Sequence, residues 1–227
     1  MLVRVPMKAR LVKLKDVLAW LILLLGVSVN HPLFAAAPSN ILVMGDSLSA
    51  GYGINVENGW VRLLAKRLAS QGYEYQVVNA SVTGETTSGG KVRLSGLLST
   101  HKPAIVILEL GPNDGLRGLP TTQMRDNLAA MIEMSQAENA KVLLVGMQIP
   151  PNYGDQYATA FRETYVQLAK TYHLKLVPFL MEGIALDASQ MQSDNLHPNE
   201  SAQPRLMENV WAVLKPMLSN SAAVKRP

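Results

Sequence analysis

A serine hydroxyl attacks a carbonyl carbon only when a base takes its proton. The chemistry in this chain therefore turns on which serine stands with which histidine. Four histidines are present. His31 falls in a basic N-terminal stretch, His101 follows a helical pattern and His173 precedes a strand-like run, all ordinary connecting positions. His197 stands in "SDNLHPN", Ser193–Asn199, three residues after Asp194. One tight loop at that spacing aims the carboxylate at the imidazole Nδ1, which sets the tautomer and stabilises an imidazolium. Pro198 biases His197 toward extended backbone, outside any helix that follows. The matching hydroxyl is Ser47 in "VMGDSLSAGYG", Val43–Gly53, where a short apolar run ends in Gly-Asp-Ser. Taken alone, Ser47 reads equally well as a turn residue, because serine hydroxyls bond nearby backbone.

Acyl transfer also needs donors for a tetrahedral oxyanion. The Ser47 N–H is one candidate. Gly84 in "SVTGET" offers a backbone N–H without an obstructing side chain, and Asn113 in "GPND" offers a side-chain amide. Losing one such donor costs about 2.7–4 kcal/mol of transition-state stabilisation. Each of these residues is also good turn chemistry, so none decides alone. Glu109 lies inside a strand pattern, and Asp114 reads as a brace for its loop. "SGGKVR", Ser88–Arg93, lacks the spacing of a phosphate-binding loop.

The positioning elements alternate. Apolar strand runs appear at Asn40–Gly45, 75–82, Ala104–Leu110, Lys141–Met147 and 174–180. Between them lie helical periods: Val61, Leu64, Ala65 and Leu68; Val92, Leu94, Leu97 and Leu98; Met124, Leu128, Met131 and Ile132; then residues 156–173. A last helix carries Leu206, Val210, Val213, Leu214 and Met217, with Pro204 in its first turn. Thr121 or Thr122 is the expected N-cap of the third helix. This alternation predicts an α/β fold: a three-layer α/β/α, flavodoxin-like arrangement around a five-stranded parallel sheet. Ligands of such sheets bind at the carboxyl ends of the strands. The Gly45, Gly84, Gly111–Gly115 and Met147–Gly154 segments all follow strands, and Ser193–Asn199 can reach the same edge.

The chain has 227 residues, 48% of them hydrophobic, enough for one domain with its own core. Its formal charge is +4. Arg4, Lys8, Arg10, Lys13 and Lys15, against Asp16, account for that excess, so the body carries none and suggests no nucleic-acid partner. The basic stretch precedes the apolar run Val17–Val29, which is shorter than the roughly 20 residues of a spanning helix. With Phe34–Ala37 as small-residue cleavage region, residues 1–37 read as a signal peptide and the protein as periplasmic or secreted. An uncleaved anchor is the competing reading. Residues 38–219 form the expected domain and 220–227 a flexible tail. Cysteine is absent, which excludes disulfides and thiolate metal sites. No metal or other cofactor is expected.

The blocks "GDSLS" (45–49), "SVTGET" with Gly84, "GPND" (111–114) and "DNLHPN" (194–199) resemble, in order, the four blocks of the SGNH (GDSL) hydrolase family. The longer stretches "VVNASVTGETT", "LELGPNDGLRG", "IPPNYG" and "MQSDNLHPNESAQP" are similar to its periplasmic acyl-CoA thioesterase, lysophospholipase and arylesterase branch. The resemblance implies the SGNH hydrolase fold, with Ser47, Asp194 and His197 as catalytic triad and Ser47, Gly84 and Asn113 as oxyanion hole. It implies hydrolysis of esters and thioesters of acyl chains through an acyl-enzyme. Pro112 departs from the glycine usual in close relatives, and an effect on rate or loop motion is expected.

"GLRGLP" and "MQIPPNYG" supply Leu116, Leu119, Ile149, Pro150 and Tyr153 as an expected acyl groove. The expected partners are a small acyl ester or thioester and peripheral lipid, with the chain as monomer. Two rivals stand beside this reading: a carbohydrate O-deacetylase, and a non-catalytic envelope binding protein.

Overall fold

The computed structural model describes residues 39–219. The leader, its apolar run, the cleavage region and the 220–227 tail lie outside the described residues. Five strands, β1 (Ser39–Gly45), β2 (Tyr75–Asn79), β3 (Ile105–Glu109), β4 (Lys141–Val145) and β5 (Lys175–Val177), form one sheet. Their order is β2-β1-β3-β4-β5, and every pairing is parallel. This is the flavodoxin-like order, as expected.

Burial explains the strand sequences. β3 is buried along its whole length and β4 from its second residue, so both read as unbroken aliphatic runs. β2, at the edge, is half-buried and more polar. Each aliphatic side chain taken fully from water stabilises the fold by about 1.5–3 kcal/mol. Pro178 follows β5 directly, and with no N–H to donate it ends the strand at Val177, short of the apolar run. β4 stops at Val145, where Gly146 takes up bonds to the β5 end: its N–H donates to the Val177 carbonyl.

Seven helices are present among the described residues: α1 (Ser47–Ala50), α2 (Trp60–Ser70), α3 (Thr87–His101), α4 (Pro112–Leu116), α5 (Thr121–Ala137), α6 (Asp155–Thr171) and α7 (Gln203–Leu214). Five follow the expected alternation, and the short α1 and α4 are additions that the apolar period did not show. α2 packs on α7, while α5 packs on both α3 and α6. These two groups are the outer layers. α3 starts earlier than its apolar period suggests, because Thr86 caps it through the Gly89 N–H. Its inward stripe is Thr87, Gly90, Leu94 and Leu98, so Val92 points to solvent, 76% exposed. The expected threonine cap of α5 is not formed; Pro120 occupies the N-cap without a side-chain bond. Pro204 does lie in the first turn of α7.

Candidate active site

The chain leaves β1 toward β2 on one side, while β3 pairs on the other, so the strand order reverses at β1 and β3. A crevice opens at such a switch point, outside the carboxyl ends of the strands. Ser47 follows β1 and Asn113 follows β3. Asp46 is the N-cap of the one-turn helix α1, and its Oδ1 accepts the Leu48 N–H at 3.0 Å. That leaves Ser47 as the first helical residue, whose N–H has no partner within the helix.

Ser47 and His197 stand within hydrogen-bond distance of each other. Ser47 Oγ lies 2.8 Å from His197 Nε2, and His197 Nδ1 lies 2.7 Å from Asp194 Oδ2. Asp194 Oδ1 also accepts the Leu196 and His197 N–H groups at 2.9 and 3.0 Å, so one carboxylate shapes the loop and orients the ring. Asn195 takes the left-handed conformation inside that loop, φ 55°, a position asparagine tolerates. Gln192 ties the loop down. Its N–H donates to the His197 carbonyl at 2.7 Å, and its Nε2 donates to the carbonyls of Tyr52 and Pro198. The Tyr52 ring stands 4.6 Å from the His197 ring, tilted by 45°. His101 and His173 are remote from this cluster in role: one ends α3, and the other follows α6 at positive φ.

Asn113 is aimed by a contact that sequence reasoning missed. Its Nδ2 donates to Asp46 Oδ2 at 3.2 Å. A carboxylate only accepts, so this bond sets the amide with nitrogen toward the nucleophile turn. Gly111 caps α4 at φ 130°, and a Cβ there would stand 2.2 Å from the Tyr165 hydroxyl oxygen. Pro112 sits in the first turn of α4, where a missing N–H costs nothing. Asp114 braces the loop as expected, accepting the Thr87 N–H at 2.8 Å and Oγ1–H at 2.6 Å. Gly84 stands in the turn before α3 at φ 77°. The Val82 N–H donates to the Gly45 carbonyl at 3.1 Å and docks that turn beside the tip of β1. Arg117 closes it from the other side, donating to the Gly84 carbonyl at 3.0 Å.

The carboxyls of the site are pushed in opposite directions. Bonds from the His197 backbone N–H, then its ring, hold Asp194 down to about 2. Burial pushes Asp46 up to about 6, against the Leu48 N–H bond and the His197 charge that favour the anion. Between its ordinary 3.8 and about 6, the folded chain therefore binds more protons at Asp46 than the unfolded chain does. That contribution to stability is complete below the ordinary value and is lost as pH rises through the folded one. Asp46→Asn removes the loss. From pH 4 to pH 7 the unfolding free energy of the variant should gain on wild type by on the order of 3 kcal/mol. Urea unfolding at both pH values reads this, and a constant difference contradicts a buried Asp46 charge. The same variant turns over more slowly, because Asn113 loses its purely accepting partner.

A cavity of about 970 Å³ opens in front of Ser47. Leu116, Ile149 and Pro150 line it as expected. Leu119 and Tyr153 do not, and Tyr153 is exposed. The Tyr153 hydroxyl donates to the Leu116 carbonyl at 3.0 Å, and the Tyr157 hydroxyl donates to the Leu119 carbonyl at 2.6 Å. Gly84 also lies outside the lining. The opposite wall comes from Phe179 and residues 181–187 with Met191 and Leu196, a segment that runs on past the 174–180 strand pattern. Its run of Phe179, Met181, Ile184 and Leu186 was the available signal.

A parallel α/β/α sheet that brings a serine, a histidine and an aspartate into hydrogen-bond contact at its switch point has the arrangement of a serine hydrolase. Residues 43–203 match the model of the GDSL-like lipase/acylhydrolase family, and the chain belongs to that SGNH hydrolase family. It is 52% identical over 183 residues to the esterase TesA of Pseudomonas aeruginosa, covering 81% of this chain and 91% of that one. It is 40% identical over 188 residues to "Thioesterase 1/protease 1/lysophospholipase L1" of Escherichia coli K12, covering 83% and 89%. Among solved structures, the psychrotrophic esterase EstA from Pseudoalteromonas sp., inhibited by monoethylphosphonate, superposes with a TM-score of 0.76. It is 41% identical and is matched over 80% of this chain and 100% of its own. Membership of this family makes the chain a hydrolase of the GDSL-like lipase/acylhydrolase type.

Proposed function

We propose that the protein hydrolyses esters and thioesters of apolar acyl chains through an acyl-enzyme on Ser47. The observation that carries this is the relay itself: Ser47 Oγ at 2.8 Å from His197 Nε2, facing an apolar cavity of about 970 Å³. Ser47 Oγ attacks the carbonyl carbon while His197 Nε2 takes its proton. Asp194 Oδ2 holds Nδ1–H and stabilises the imidazolium. The oxyanion receives the Ser47 N–H, the Asn113 Nδ2–H and the Gly84 N–H. The imidazolium then protonates the departing alkoxide or thiolate, and water repeats the sequence to free the acid.

The cavity favours an acyl chain over a sugar. Among the described residues, Phe179 is the sole aromatic ring besides His197 in its lining, and sugar platforms need aromatic faces. Arylesterase, thioesterase and lysophospholipase activities fit the same site, since the wall contacts the acyl side. Leu186 and Leu196 stand exposed at the cavity edge, an apolar rim that suits brief contact of a monomer with lipid. Among the described residues no helix is long and apolar enough to cross a membrane. Export by the leader of residues 1–37 completes the proposal. N-terminal sequencing of the protein from a periplasmic fraction checks it, and recovery of the intact leader in the cytoplasm counts against it.

A p-nitrophenyl ester series tests the acyl wall. Leu116→Ala and Ile149→Ala should lower kcat/KM for long chains about 5- to 30-fold, the loss of one or two kcal/mol of apolar contact. Acetyl ester turnover should stay within about twofold, and Leu119→Ala should show no chain-length bias. An equal loss at all chain lengths contradicts the groove.

A further inference from the structure

Glu109 takes no part in the acyl-transfer steps, yet it is fully buried at the carboxyl end of β3. The sheet pairs it with Gly45 at the tip of β1. Its Oε2 accepts the Asp46 N–H at 3.3 Å and the Ser49 Oγ–H at 2.7 Å. Those two donors flank Ser47 on either side in the chain. Gly45 leaves the space for this approach. A Cβ there would stand 2.6 Å from Glu109 Oε2 and 2.7 Å from Ser49 Oγ. Glu109 Oε1 is buried with no hydrogen-bond partner.

The surroundings disfavour a charge on this carboxyl. Burial first, and the neighbouring Asp46 second, push it well above the usual carboxylate range. The groups that face it are Asp46 from the turn, Ser49 from α1 and Tyr165 from α6, whose hydroxyl donates to the Leu110 carbonyl. None of these is a cation. A second anion beside Asp46, behind the site where an oxyanion develops, would oppose the reaction as well as the fold.

We propose that Glu109 is a positioning residue whose Oε2 clamps the Asp46 N–H and Ser49 Oγ–H and so aims the Ser47 turn. The proposal rests on Ser47 as the nucleophile. One oxygen takes both donors, and the Ser47 hydroxyl and N–H are held together in one geometry. An apolar side chain of similar size fills the space but strands the buried Asp46 N–H, which carries the full desolvation penalty. A displacement of the turn by an ångström is enough to cost about 10²-fold in rate.

The test is kcat and KM on a p-nitrophenyl ester for wild type, E109L, E109Q and S49A. Phosphonate titration counts the reactive serines in each. E109L should lower kcat about 30- to 100-fold with KM within about twofold. E109Q should restore kcat to within about threefold of wild type, because the amide carbonyl replaces Oε2 as the double acceptor. S49A keeps the carboxyl and loses one anchor, and should lower kcat about 3- to 10-fold. Wild-type kcat in E109L overturns the proposal, as does an E109Q as slow as E109L. If E109L does not fold, S49A and E109Q decide: wild-type kcat in S49A, or a large loss in E109Q, overturns it. Absence of phosphonylation in wild type defeats the nucleophile reading instead. That outcome differs from titratable variants that turn over like wild type.

Discussion

Ser47→Ala should lower kcat about 10⁶-fold on any ester while leaving KM near wild type. The size follows from what the hydroxyl does. Without it His197 has no proton to take and no acyl-enzyme forms, so the relay of 2.8 and 2.7 Å becomes idle. The proposed donors at Asn113 and Gly84 remain and should leave a residual acceleration of roughly 10³–10⁴ over water. The fold is not at risk. The α1 cap belongs to the Asp46 side chain and the Leu48 N–H, and neither touches the deleted atom. Parallel kinetics and thermal melting check this, and a variant that keeps even a hundredth of wild-type kcat removes Ser47 from the chemistry.

Asp194→Asn should lower kcat about 10⁴-fold, again with an intact fold. Asp194 Oδ1 accepts two backbone N–H groups, and an asparagine carbonyl can do the same. The amide nitrogen then replaces Oδ2 opposite His197 Nδ1. It donates, so Nδ1 must accept and the proton moves to Nε2. A protonated Nε2 cannot take the Ser47 proton, and the base is lost through its tautomer rather than its position. The wild-type carboxylate, held to about 2, is ionised throughout the range where esters are assayed. Its contribution to stability is present above the ordinary 3.8 and disappears as pH falls through about 2. If D194N keeps more than a tenth of wild-type kcat, Asp194 does not set the tautomer.

The residues proposed to react were legible because each occupies a place that topology dictates. Ser47 follows β1, Asn113 follows β3, and Asp194 and His197 share one short loop. Strand alternation alone puts those ends on one edge. The contact between Asn113 and Asp46 was not legible, since it joins residues 67 apart and depends on how two strand tips pack. Glu109 read as an oddity inside a strand, because only the register that pairs it with Gly45 reveals the turn it holds.

The substrate side was half-legible for a related reason. Leu116 and Leu119 stand three residues apart on one loop, but the tyrosine hydroxyls of Tyr153 and Tyr157 pin that loop by its carbonyls. Leu116 then faces the cavity and Leu119 does not. The facing wall of Phe179 and residues 181–187 runs on past the 174–180 strand pattern, so only its path through space shows that it meets Ser47. On α3, Gly90 and Leu94 set the helix phase and turn Val92 outward, where an apolar count alone points it inward.

The central claim is that Ser47 is the nucleophile. Reaction of the purified protein with a fluorophosphonate, followed by peptide mass mapping, tests it most directly. One phosphonyl group should appear on the peptide containing Ser47, and none on Ser47→Ala. An unmodified wild-type protein, or an adduct on another residue that persists in Ser47→Ala, contradicts the account.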